Sequence, residues 1–251
     1  MKLKRLLLAA TFITLATSVQ AAEAIRIVGS STVYPFATAV AERFGKSGHP
    51  TPIIESTGTG GGFKIFCTDP SVDINNASRK IKDSEMKLCG ENGVMITKEF
   101  KFGRDAIVIA HDKNGNQFDA GKDLIWLALA KNVPIDGKLV PNPWKKWSDI
   151  DVNLPSTKIE VLGPPPTSGT RDSFIDQIML PGCEAVPFLG DLKSLSKEDK
   201  KNVCSEIRTD GGYVEAGEND NLIIKKLESN PDSYGIFGFI CYSWWYILSR
   251  Q

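Results

Sequence analysis

Two rhythms of apolar and polar residues run along the chain, and the places where one gives way to the other mark its elements. Ile25-Arg26-Ile27-Val28 reads as a strand ending at Gly29. Pro35 suits the first turn of the helix that follows, and Phe36, Val40, Ala41 and Phe44 share one helical face. Pro52 to Glu55 reads as a second strand. The glycine turn Thr57 to Gly62 then leads into a helix beginning at Phe63-Lys64-Ile65-Phe66. Val72-Asp73-Ile74 is a short third strand, and Phe102 to His111 a long apolar one. Leu124 to Ala130 predicts a helix, Trp144 to Ile150 a short amphipathic piece and Lys158 to Leu162 a strand. Thr167 to Leu180 predicts a helix with Phe174, Ile175 and Ile178 as its core stripe. Leu192 to Ile207 predicts another, rich in charge. Asp220 to Glu228 closes the helical series with Leu222, Ile223 and Leu227 inward, before a final strand from Ser233 to Phe239. Strands alternating with helices predict an α/β fold with largely parallel sheets. No Pro, Ser or Gly linker divides the chain, so two lobes would have to be joined through structured segments.

The first 21 residues break this pattern. Lys2, Lys4 and Arg5 precede an apolar run from Leu6 to Val19, and Val19-Gln20-Ala21 supplies small residues for cleavage. This is the layout of a secretory signal, and the run is short for a bilayer span of about 20 residues. Secretion into an oxidising compartment changes how the cysteines read. Cys67 with Cys89, and Cys183 with Cys204, would each close a local loop. Four cysteines allow three pairings, so this sequential one is a choice among them. Cys241 is left over.

Composition narrows the chemistry. The 30 Lys and Arg balance 30 Asp and Glu, which argues against a nucleic-acid binder. Two histidines, His49 and His111, and no Cys/His spacing leave no expected metal site. Gly58 to Lys64 resembles a phosphate loop, but Phe63 stands where a Gly belongs and Ile65 where Ser or Thr belongs. There is no G-x-S-x-G elbow, and neither histidine sits in a motif that suggests a base, so no enzyme activity is expected.

Three polar turns carry the candidate chemistry: Gly29-Ser30-Ser31-Thr32-Val33, Thr57-Gly58-Thr59-Gly60-Gly61-Gly62 and Pro166-Thr167-Ser168-Gly169-Thr170-Arg171. Each opens a helix and offers hydroxyls with closely spaced backbone N–H groups. Helix N-termini leave four such groups unpaired, and the dipole there favours negative charge. Any one turn could simply be a helix cap. Arg79, ending Asn76-Ala77-Ser78-Arg79, and Arg171, following the third turn, carry forks that match phosphate or carboxylate geometry.

In order and spacing, Gly29 to Pro35, Gly60-Gly61-Gly62-Phe63-Lys64, Asn76 to Arg79 and Thr167 to Arg171 resemble one family, the periplasmic phosphate-binding proteins of ABC transporters. The resemblance runs from about Ile25 to Phe239. It implies a two-lobed fold with a mostly parallel sheet in each lobe and a ligand cleft between them. Lobe 1 would span about 25–105 plus 235–251 and lobe 2 about 106–234. The implied ligand is inorganic phosphate, the implied partner an inner-membrane ABC permease and the implied location periplasmic or secreted. The implied state is a monomer without a cofactor. Carried over by position, Ser31, Thr32 and the Val33 backbone would hold phosphate from the first helix, and Thr59 and Gly60 from the second. Ser168, Gly169 and Thr170 would do so from the third.

Two departures bear on this reading. Well-known members carry, at the position of Arg79, an Asp that accepts the phosphate proton, and a charged Arg where this chain has Pro164. The resemblance therefore implies the subgroup in which Arg79 and Arg171 supply the charge. Selectivity against sulfate would then require another acid, such as Glu218, to reach the site. Binding of another oxyanion (sulfate, molybdate or tungstate) stays open, as does a secreted adhesion protein on the same scaffold. Family members also continue for many tens of residues beyond a strand like Gly235-Ile236-Phe237-Gly238. Here Ile240 to Gln251, with Trp244, Trp245 and Tyr246, departs from the family. A truncated or frameshifted product is the expectation, and a short member with an aromatic tail the alternative.

Overall fold

The computed structural model describes residues 23–95, 98–186 and 194–239. The expected signal segment, Cys241 and the aromatic run from Ile240 lie outside them. Strand β1 (Arg26–Gly29) lies between β2 (Ile53–Ser56) and β3 (Ile74–Asn76), parallel to both. Ile27 sits opposite Ile54 on one side and Ile74 on the other. Helices α1 (Tyr34–Lys46) and α2 (Thr59–Phe66) follow β1 and β2, and α3 (Asp83–Glu91) follows β3. The strand–helix alternation read from the sequence therefore builds a parallel sheet, as the crossover rule requires.

A second sheet runs in the order β4 (Ile107–His111), β9 (Tyr234–Gly238), β7 (Val161–Gly163), β8 (Tyr213–Glu215). β7 is parallel to both β8 and β9, while β4 pairs antiparallel with β9. This corrects the expected partition at 235–238: these residues lie inside the second sheet, between β4 and β7, and not with the first. The reason is apolar content, because Ile236 and Phe237 are fully buried against the helices of that sheet. β5 (Asn132–Ile135) and β6 (Lys138–Pro141) form a separate antiparallel hairpin. It turns on Asp136 and Gly137, both at positive φ.

The main core belongs to the second sheet. Trp126 and Leu129 of α4 (Lys122–Leu129) pack with Trp147, Ile159, Phe174, Met179 and Ile236. The long helix predicted from Thr167 starts as α5 (Gly169–Phe174). It widens into a π turn (Ile175–Met179) and continues as α6 (Leu180–Ala185). Leu222 turns outward from helix Asp220–Ser229, and Ile224 joins Ile223 and Leu227 inside. The predicted stripe of α1 also shifts. Ala41 is buried as expected and lines one recess with Tyr34, Thr38, Pro52 and Ile54, while Val40 and Phe44 of the expected stripe are exposed. The row at positions 34, 38 and 41 keeps helical spacing, rotated from the row at 36, 40 and 44.

Disulfides join Cys67 to Cys89 and Cys183 to Cys204, the sequential pairing among the three. The first ties the end of α2 to α3, and the second ties α6 to helix Lys197–Ser205. Both sulfurs of the second bond are buried beside the main core. Closing a loop of this length constrains the unfolded chain by about 3 kcal/mol. The double substitution Cys183→Ser and Cys204→Ser should lower the urea unfolding free energy by about that amount. An unchanged midpoint would show that the crosslink contributes nothing.

Candidate functional site

The N-termini of α1, α2 and α5 meet where the two sheets face each other. Each helix leaves the carboxyl end of a parallel strand, so the termini point to one place. The amide of Gly60, in the first turn of α2, donates to the carbonyl of Thr167 at 2.8 Å. Thr32, ahead of α1, and Thr170 of α5 pair through their hydroxyls at 3.0 Å. Ser168 caps α5, its Oγ accepting from the Thr170 amide at 3.2 Å. Thr59 is fully buried. Its hydroxyl accepts from the Ser78 amide at 3.1 Å and pairs with the Ser78 hydroxyl at 3.0 Å. Ser30 joins the same chain by donating to Ser78 Oγ at 3.2 Å.

Two glycines make the approach possible. Gly58, at φ 72°, starts α2 in a backbone conformation that side chains rarely adopt. A Cβ on Gly58 would also collide with the carboxyl group of Glu218. Gly169 packs directly on Ser78 and Thr59 across the interface, with no room for a methyl group.

Of the residues expected from the sequence, Thr32, Thr59, Gly60, Ser168, Gly169 and Thr170 are thus brought together. Ser31 and Val33 are buried beside them in the turn before α1, where the Val33 amide faces Ser30 Oγ at 3.4 Å. The two arginines differ. Arg79 spans the interface: its Nε donates to Asp172 of α5 at 2.5 Å, and its two terminal nitrogens donate to Glu85 of α3 at 2.7 and 2.8 Å. Lys82 donates to the other oxygen of Asp172 at 2.9 Å. Burial pushes Glu85 up, but the bonds from Arg79 and the Lys82 amide outweigh it and hold the carboxyl below its ordinary value.

Arg171 stays within the second half of the molecule. Its guanidinium lies 4.4 Å from the Tyr213 ring centre and donates to the Pro164 carbonyl at 3.2 Å. The same carbonyl accepts the Tyr213 hydroxyl at 2.7 Å. Burial pushes that phenol up to about 12, so it remains a neutral donor. Arg171 is nine-tenths buried, and among the described residues its Nε has no partner and no carboxylate pairs with it.

Glu218 does reach the site. Its Oε1 accepts from the Thr167 hydroxyl, and its buried Oε2 has no hydrogen-bond partner among the described residues. Burial raises its carboxyl above the ordinary value. The sequence reading left Ser78 without a role and did not assign Asp172 or Glu85. The signal for Ser78 was present in Asn76-Ala77-Ser78-Arg79, directly after β3. Glu85 was hidden because α3 was not read as a helix, and only as the third residue of α3 does its carboxylate turn back onto Arg79. Among the described residues, no cluster of His, Cys, Asp and Glu could hold a metal ion, and no helix is long and apolar enough to cross a membrane.

The chain is similar to known proteins. The chain is 32% identical over 233 residues to the protein SphX of a Synechocystis strain, a match covering 92% of this chain and 59% of the relative. It is 29% identical over 215 residues to the phosphate-binding protein PstS of Staphylococcus saprophyticus, covering 85% and 55%. The chain thus spans somewhat more than half the length of these curated relatives. Its fold matches a putative phosphate ABC transporter substrate-binding protein from Clostridium perfringens, solved with bound phosphate. That match has a TM-score of 0.57 at 20% identity and covers 86% of this chain and 71% of the other. The model of the PBP superfamily domain matches residues 16–239, a span that contains every described residue, and the chain belongs to that superfamily.

Proposed function

We propose that the chain captures inorganic phosphate between its two halves, as the secreted receptor that delivers it to an ABC permease. The observation that carries this reading is the convergence of three helix N-termini, lined with hydroxyls, on one point. A tetrahedral dianion needs many donors from several directions, and helix first turns supply amides together with a favourable dipole. The Thr32–Thr170 and Thr59–Ser78 hydroxyl pairs would exchange their mutual bonds for phosphate oxygens. Arg171 would supply the net positive charge, because the charges of Arg79 and Lys82 are balanced by Glu85 and Asp172. The names of the PstS relative and of the Clostridium protein point the same way. Binding then closes the cleft: phosphate joins two surfaces and favours the state in which both touch it. No bond is made or broken in this role, so it is not an enzyme's.

Glu218 is the acid that answers the missing Asp. Monohydrogen phosphate carries a proton that an unpartnered carboxylate oxygen can accept. Sulfate carries none at neutral pH and would meet that oxygen with repulsion. An isothermal titration should give saturable one-to-one phosphate binding that a tenfold excess of sulfate does not block. Blocking by sulfate would reassign the site to another oxyanion, and no binding heat from folded protein would sink the reading.

Two substitutions probe the geometry. Gly169→Ala should weaken phosphate binding at least tenfold with an unchanged far-UV circular dichroism spectrum, because the added methyl holds the halves apart. Glu218→Gln should narrow the phosphate-to-sulfate affinity ratio at least tenfold. The same substitution has a stability signature. Burial raises the native pKa of Glu218, so its contribution is full below the unfolded value and lost as pH rises through the native one. Denaturation from pH 4 to 8 should show that fall in the wild type and less of it in the variant.

A further inference from the structure

The charges that bridge the two halves meet at one carboxylate. Asp172, the fourth residue of α5, comes from the half that holds the second sheet. Arg79, Lys82 and Glu85 come from the turn after β3 and from α3, in the other half. Both oxygens of Asp172 are used across the interface. One accepts from Arg79 Nε at 2.5 Å and the other from Lys82 Nζ at 2.9 Å.

Glu85 holds these cations in place from behind. It takes both terminal nitrogens of Arg79 and also accepts from the Lys82 amide at 2.8 Å. Arg79 donates once more, to the Lys80 carbonyl at 2.9 Å. Four of its five N–H groups are therefore engaged, which suits a residue that joins surfaces better than one that wraps an anion. The Arg79 and Asp172 side chains are 13% and 19% exposed, so their pairing is shielded, whereas Lys82 at 51% is open to solvent.

The network stands beside the backbone bond between the halves. A Cβ added to Gly60 would lie 3.1 Å from the Thr167 carbonyl oxygen and 3.4 Å from a terminal nitrogen of Arg79. Gly60 is the second residue of α2, and amides there have no partner inside their own helix. Its protection from solvent exchange therefore comes from Thr167, across the interface. The Gly62 amide instead donates to the Gly58 carbonyl of its own turn at 2.8 Å. One amide reports contact between the halves, and the other reports the integrity of α2.

We infer that Asp172 is a positioning residue for anion capture. It seats Arg79 and Lys82 when the halves meet, and so holds the closed arrangement without touching the anion. The inference rests on the reading of the cleft as a phosphate clamp. Simple attraction gives the opposite sign, because removing the Asp172 charge makes the surroundings more positive and so favours an anion. Removing one partner of a shielded pair, however, leaves the other charges without a counter-charge where water is excluded. Only the closed state excludes that water, so the cost falls on closure.

The test uses the full chain labelled with nitrogen-15, with amide hydrogen exchange read in phosphate-free buffer. In Asp172→Asn the Gly60 amide should lose roughly tenfold of its protection while Gly62 keeps its own. Lys82→Gln should cost Gly60 about threefold alone and nothing further in Asp172→Asn, because its charge acts through that carboxylate. In a chase of radiolabelled phosphate, Asp172→Asn should release the ion roughly tenfold faster, with little change in the rate of uptake. Unchanged Gly60 protection in Asp172→Asn, losses from the two substitutions that multiply, or release no faster than in the wild type would each overturn the inference. The exchange measurement needs no anion. A wild type that takes up no phosphate would thus sink the function proposed above, while Gly60 still decides whether Asp172 joins the halves.

Discussion

The hydrogen bond from the Gly60 amide to the Thr167 carbonyl is the contact on which the rest of the site depends. It joins the first turn of α2 to the turn before α5, elements that rise from different sheets. Once it is made, Gly169 must lie on Thr59 and Ser78, and Thr32 must meet Thr170. None of these approaches tolerates a larger residue, so the glycines at 58 and 169 are consequences of the same geometry. The hydroxyls follow from it as well. Buried this deeply, each needs a partner, and the nearest available partner is a hydroxyl from another helix start. The cluster is thus satisfied internally while remaining a set of groups that an oxyanion could take over.

Charge is divided between two arginines with opposite circumstances. Arg79 sits in a network with Glu85, Asp172 and Lys82 that crosses between the halves. Such partly buried pairs give up hydration that nearly offsets their attraction, so they fix how the elements they join meet more than they drive the contact. Arg171 has the reverse problem. Its charge lies over Tyr213 with one carbonyl acceptor and an unpaired Nε. A buried guanidinium without a counter-charge is a cost that an anion relieves. The carboxyl of Glu218, raised by burial, is the other strained charge. These two groups make the site responsive to what enters it.

The fold class was legible because strand–helix alternation is a local property, and a parallel sheet is its usual result. The three turns were legible for the same reason, since each opens a helix within a few residues of a strand. What the chain did not disclose was long-range. Phe102 to Ile107 reads as strand by composition, but pairing with β9 begins only at Ile107. The apolar row of α1 was right at Ala41 and misread at Val40 and Phe44, because those two keep helical spacing with Phe36 just as Tyr34 and Thr38 do with Ala41. Period alone cannot say which row faces the sheet. The roles of Arg79 and Arg171 were equal in sequence and unequal in space. Asp172 decides the matter, and an acidic neighbour one position after an arginine looks like ordinary surface charge.

A ligand can shift a conformational equilibrium only if it binds the two states with different affinity. The cleft meets that condition, because its donors come from both halves. An anion held by the first turns of α1 and α2 on one side and of α5 on the other would reach its full set of donors only where both sides touch it.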